Sequence, residues 1–139
     1  MKHPIRRRLM YLGFQGLRLG VQLLPPSVSR ALGGALGWLA YGVLRSHRRL
    51  TQSHLAYAFG ESLSVAQRRR VAQRVFVNLG QSAMEWLRLP QLSSNDLQQL
   101  VVSEGIDHLR AAIARGGGAI VITAHFGNWE VIPLYLKSL

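Results

Sequence analysis

The stretch Ala119-Ile120-Val121-Ile122-Thr123-Ala124-His125-Phe126-Gly127-Asn128-Trp129-Glu130 decides the fold. Its first half is a continuous apolar, β-branched run, the texture of a strand buried on both faces of a sheet. Ligands of open α/β sheets gather at the carboxyl ends of the strands, so His125 stands where a site is expected. On one continuous helix, His125 and Glu130 would point about 140° apart, too far to cooperate. A loop through Gly127, with Asn128 as helix N-cap, removes that obstacle and lets Glu130 fold back from the first turn toward the imidazole. A carboxylate on one ring nitrogen fixes the tautomer and raises the basicity of the other, which makes a general base for a hydroxyl. Taken alone, the pair is a weak signal: such residues are more often a structural histidine followed by a helix-start carboxylate, with Asn128 a plain cap. His125 has no second histidine at a helical spacing, so the pattern is not that of a metal site.

Upstream, Val101-Val102-Ser103 reads as a short strand, and a helix over Asp107 to Arg115 ends at Gly116-Gly117-Gly118. Together with 119–124 this makes one βαβ unit, followed by a helix from near Asn128 through Leu136. Leu97 to Leu100 reads as a short helix. Ser64-Val65-Ala66-Gln67 is a capping box opening a helix that Pro90 ends. Val71, Val75, Leu79, Ala83 and Trp86 mark its apolar face, and Arg68, Arg69, Arg70 and Arg74 its cationic one, either solvated or a dock for an acidic partner. Glu85 beside Arg88 reads as a local ion pair.

The 139 residues hold 17 Lys+Arg against 6 Asp+Glu, and no acid precedes Glu61, so the amino-terminal part is purely cationic and its partners are polyanions. With no cysteine, thiolate nucleophiles, disulfides and Cys-ligated metals are excluded. Two apolar runs, Leu9 to Leu24 and Ala31 to Leu44, are parted by Pro25-Pro26. Neither spans a bilayer easily: Arg18 interrupts the first, and the second is shorter than the roughly 20 residues a span needs. Arg7, Tyr11, Gln15, Arg18 and Gln22 form one stripe, as in a helix lying in the bilayer interface with its arginines toward anionic head groups. Gly33-x-x-x-Gly37 would let a neighbouring helix approach closely. Residues 1–45 are therefore expected to form a membrane-associating helical hairpin with both ends cytoplasmic. Two ordinary soluble core helices are the competing reading. A secretory signal ending near Ser27-Val28-Ser29 is disfavoured by Arg18 and the two glutamines. Nucleic acid is not an expected partner, because the basic residues interleave with aliphatic runs rather than with stacking aromatics.

The chain resembles the amino-terminal part of the bacterial lipid A biosynthesis (lauroyl/myristoyl) acyltransferases, within the lysophospholipid acyltransferase superfamily. The resemblance rests on the His54-Leu55-Ala56-Tyr57-Ala58-Phe59 segment after a basic stretch, the helix from Ser64 to Arg88, and Glu104-Gly105-x-x-x-Leu109 before a glycine-ended turn. The H-x-x-x-x-D/E motif, matched by His125 and Glu130, completes it. It implies an α/β fold: membrane-associated helices over 1–45, then in 46–139 the start of a glycerol-phosphate-acyltransferase-like αβ sandwich, truncated. It also implies acyl transfer from an acyl-carrier-protein or coenzyme A thioester to a lipid-linked hydroxyl, at the cytoplasmic face of the bacterial inner membrane, without metal or other cofactor. His125 and Glu130 would be catalytic, and Gly127 and Asn128 would hold the loop or a substrate oxyanion. The partners expected are anionic membrane lipid, the acyl donor and the lipid acceptor. The 139 residues alone are expected to be inactive. The motif leaves the acceptor open between lipid A precursors and another glycolipid or lysophospholipid, and a non-catalytic membrane-binding fragment is the alternative of another class.

Overall fold

The computed structural model describes residues 4–139, and every regular element among them is helical. The chain divides into two compact units, one ending at Arg88 and the other running from Leu89 to Leu139. Residues 4–44 thus share a unit with the two helices that follow them.

The first unit contains α1 (Pro4–Leu23), α2 (Pro26–Val43), α3 (Arg45–Phe59) and α4 (Val65–Arg88). Pro26 opens α2 at a position where its missing N–H costs nothing. α2 lies mainly against α4 rather than α1, antiparallel, with Gly33 opposite Gly80 and Gly37 opposite Phe76. A Cβ on Gly33, Gly37 or Gly80 would strike the backbone of the other helix, so the close approach expected of Gly33-x-x-x-Gly37 is present and has a third glycine on the partner.

The α4 capping box is present: Ser64 N–H donates to Gln67 Oε1 at 2.8 Å, and Gln67 N–H donates to Ser64 Oγ at 3.3 Å. Its inward face differs from the expected one. Ala72 and Phe76 are buried and Val71 and Val75 half-buried, while Leu79, Ala83 and Trp86 are exposed, because the face that meets α2 runs through Phe76 and Gly80, where the two backbones come closest. The expected Glu85–Arg88 pair is replaced. Glu85 pairs with Arg30 at 3.5 Å, and Arg88 Nη1 donates to the carbonyls of Val21 at 2.8 Å and Leu24 at 2.7 Å. A cation thus caps the carboxyl end of α1, where orphan carbonyls and the helix dipole favour one.

The polar stripe of α1 also faces otherwise than expected. Gln15, Arg18 and Gln22 are half-buried, and Gln22 Nε2 donates to the Leu87 carbonyl at 2.9 Å, so the carboxyl-terminal part of the stripe lies along α4. Leu9, Leu12, Leu17, Leu19 and Leu23 are exposed instead. No helix among the described residues is long and apolar enough to cross a membrane.

The second unit contains α5 (Ser94–Leu100), α6 (Ile106–Ala114) and α7 (Val131–Ser138). Ser93 and Asp96 form a reciprocal capping box at α5. Leu97 of α5 and Tyr135 of α7 are buried, and Ser103 Oγ lies 2.6 Å from Tyr135 Oη. The α/β expectation needs correction within the described residues: neither Val101–Ser103 nor Ala119–Ala124 forms a strand. A strand exists only with a hydrogen-bonded neighbour about 4.8 Å away, and these two segments do not pair. Ile120 is 95% exposed and Ile122 93%, so the run predicted to be buried on both faces is open.

Candidate active site

His125, Gly127, Asn128 and Glu130 all fall in the link between Ala124 and α7. Phe126 N–H donates to the Ala124 carbonyl at 2.8 Å, a tight bend that separates His125 from the apolar run. Gly127 follows with φ +60°, the left-handed conformation in which a side chain is strained. Next comes a turn in which Val131 N–H donates to the Asn128 carbonyl at 3.1 Å and Ile132 N–H to the Trp129 carbonyl at 3.0 Å.

The N-cap position of α7 belongs to Glu130, not to Asn128 as expected, and the reason is Pro133. Behind an Asn128 cap, Pro133 would stand in the helix interior, lacking an N–H and clashing with the carbonyl four residues back. Behind Glu130 it falls in the first turn, where no N–H is required. Glu130 is half-buried and makes no side-chain cap hydrogen bond, which leaves its carboxylate uncommitted to the helix end. Asn128 is half-buried with its Oδ1 enclosed.

His125 is exposed, and its ring packs on Trp129, with centroids 4.4 Å apart and planes at 54°. No hydrogen bond or ion pair joins it to Glu130 among the described residues. The loop therefore brings the two residues of the motif to one turn without closing the pair. Trp129 is the neighbour that the sequence does not reveal, because the contact is made by the conformation of the loop and not by a helical spacing. The same unit holds a cavity of about 470 Å³, lined by Leu109 and Ile113 of α6, Ala119, Val121 and Leu136. It adjoins the beginning of the apolar run, not the histidine at its end.

Compared with known proteins, the chain matches the family described as bacterial lipid A biosynthesis acyltransferase over residues 1–139. It is also similar to phosphatidylinositol mannoside acyltransferase from two strains of Mycobacterium tuberculosis, at 39% identity over 54 residues. That match covers 37% of this chain and 17% of each relative, so it spans about a sixth of their length. No solved structure matches. Both comparisons lead to enzymes that transfer acyl groups, and the match over residues 1–139 settles the family: the chain belongs to the bacterial lipid A biosynthesis acyltransferases.

Proposed function

We propose that the chain carries the catalytic histidine and carboxylate of a membrane-associated acyltransferase. It moves a fatty acyl group from an acyl-carrier-protein or coenzyme A thioester to a lipid-linked hydroxyl, in lipid A biosynthesis at the cytoplasmic face of the inner membrane. The observation that carries this is the turn at Gly127, which sets His125 and an uncommitted Glu130 on either side of one bend in a chain of this family. His125 takes the proton of the acceptor hydroxyl as its oxygen attacks the thioester carbonyl. The tetrahedral adduct then collapses, the carbon–sulfur bond breaks, and the thiolate leaves and recovers the proton. Glu130 orients the imidazole and stabilises its charged form, which requires the ring to swing off Trp129; catalytic hydrogen bonds commonly tighten only with substrate bound. Gly127 and Asn128 shape the loop, whose N–H groups are candidates for the oxyanion.

A second reading, acylation of another glycolipid, is favoured by the mycobacterial relative, which is named for phosphatidylinositol mannoside. The acceptor differs between the two readings and the chemistry does not.

The test is turnover per folded molecule in the protein that contains these residues. His125→Ala is expected to cost about 10²–10⁴ in rate, the usual loss on removing a general base. Glu130→Gln should cost less, and the double variant far less than the sum of the two free-energy losses, because the pair acts as a unit. Full specific activity in a well-folded His125→Ala protein would end the proposal.

A further inference from the structure

Arg18 stands alone on α1: no other charged residue lies between Arg8 and the end of that helix. The residues one turn to either side fix where it sits. Phe14 packs on Trp86 of α4 with ring centroids 6.0 Å apart, and Gln22 bonds the Leu87 carbonyl, so Arg18 lies in the seam between α1 and α4. It is half-buried, its Nε is enclosed with no hydrogen-bond partner, and no carboxylate pairs with it among the described residues. The nearby Glu85 already pairs with Arg30, and Arg88 is occupied by the carbonyls of Val21 and Leu24.

A guanidinium enclosed on its Nε side, with no anion beside it, is placed to gain a charge-assisted pair from an anion that reaches its open side. Its fork of N–H donors matches a phosphate group better than any neutral acceptor. The surroundings suit a phosphate that carries hydrocarbon: Leu17 and Leu19 flank Arg18 in sequence and are each 55% exposed, and Trp86 is partly exposed beside the seam. Tryptophan favours the head-group level of a bilayer, and a charged residue within an apolar helix marks a site whose partner should be sought.

We propose that the α1–α4 seam is a phosphate-binding site built on Arg18, occupied by the head-group phosphate of a membrane glycerophospholipid. The site is built from residues of the first unit alone, and it rests on the membrane association proposed above. Bound there, the lipid completes the coordination of the guanidinium, while its chains lie over the exposed leucines of α1.

The test uses the whole chain with Trp38→Phe and Trp129→Phe, leaving Trp86 as reporter, and vesicles of phosphatidylcholine with or without phosphatidylglycerol bearing brominated chains. Trp86 should be quenched, and phosphatidylglycerol should be preferred. Arg18→Gln should reduce that preference about fivefold, the effect of one basic residue at an anionic surface, with Arg18→Lys intermediate. Circular dichroism checks that each variant is folded. An unchanged preference in folded Arg18→Gln overturns the site while leaving membrane association standing. No binding to any vesicle overturns the membrane reading. Inorganic phosphate at matched ionic strength is the second arm: a shift of Trp86 emission in the parent but not in Arg18→Gln supports the seam and assigns it to a soluble phosphate. No shift with phosphate and no quenching by vesicles overturns it.

Discussion

Gly33 and Gly37 of α2 meet Gly80 and Phe76 of α4 so closely that none of the three glycines could carry a methyl group in place, whereas Ile120 and Ile122, in as apolar a stretch, face outward. Both segments advertise burial in the sequence. The difference is where the partner stands. A helix satisfies its own backbone and needs only a surface to pack on, which α4 provides within the same unit; a strand needs its backbone bonds completed by another strand before its side chains are covered. Apolar pattern therefore reports that a segment is to be buried, and its backbone requirements decide whether the residues at hand suffice.

The sharpest way to break this contrast is Gly37→Val. Its branched side chain would meet the Phe76 backbone, which cannot rotate aside, so α2 and α4 must separate; a loss of roughly 3 kcal/mol is expected, read as a fall in the melting temperature of the first unit. A stability unchanged by this substitution would mean that the crossing is looser than described.

A smaller effect separates the two capping boxes. The α4 box closes with Gln67, which does not titrate, and the α5 box with Asp96, which does. The Ser93 hydroxyl, at 2.6 Å, and then the Ser93 backbone N–H, at 2.8 Å, hold the Asp96 carboxyl below its ordinary value of 3.8. A depressed carboxyl contributes stability that is full above its unfolded value and is lost as pH falls through the lower folded one. Amide exchange in α5 should therefore accelerate on acidification below pH 3.8, while the first turn of α4 stays protected; equal acceleration at both ends would remove the distinction.

The smallest effect is the most telling for the open segment. Ile120→Ser should change the stability of this chain by no more than about 0.5 kcal/mol, as expected of an exposed site. A loss well above 1 kcal/mol in denaturant titration would place Ile120 in a packed sheet and restore the buried strand.

How far the sequence could be read follows the same division. The start of α4 was legible because Ser64 and Gln67 form a local device, and the close approach at Gly33 and Gly37 because small residues one turn apart have few other uses. The inward face of α4 was misjudged because Val71, Val75 and Leu79 outweigh Ala72, Phe76 and Gly80 in hydrophobicity, while the crossing distance is set by size. α3 carries no such signal: Arg45 to Arg49 bring charge without apolar periodicity, and its N-cap residue is Leu44, which makes no side-chain cap bond. At the candidate site the residues were legible and their arrangement was not. Pro133 held the information needed to place the start of α7, and the contact between His125 and Trp129 depends on a loop conformation that no local pattern encodes.

The grip of Arg88 on Val21 and Leu24 also governs how the first unit can move. It rivets the carboxyl end of α1 to the last residue of α4, while the amino end of α1 bears Arg6, Arg7 and Arg8 on an exposed face. A helix fastened from Phe14 to its carboxyl end and pulled at its amino end behaves as a lever: attraction of those arginines toward a charged surface would load the contacts at Trp86, Leu87 and Arg88. α1 and α4 should then tilt as one beam, and the depth reached by the arginines fixes the inclination of the helix crossing.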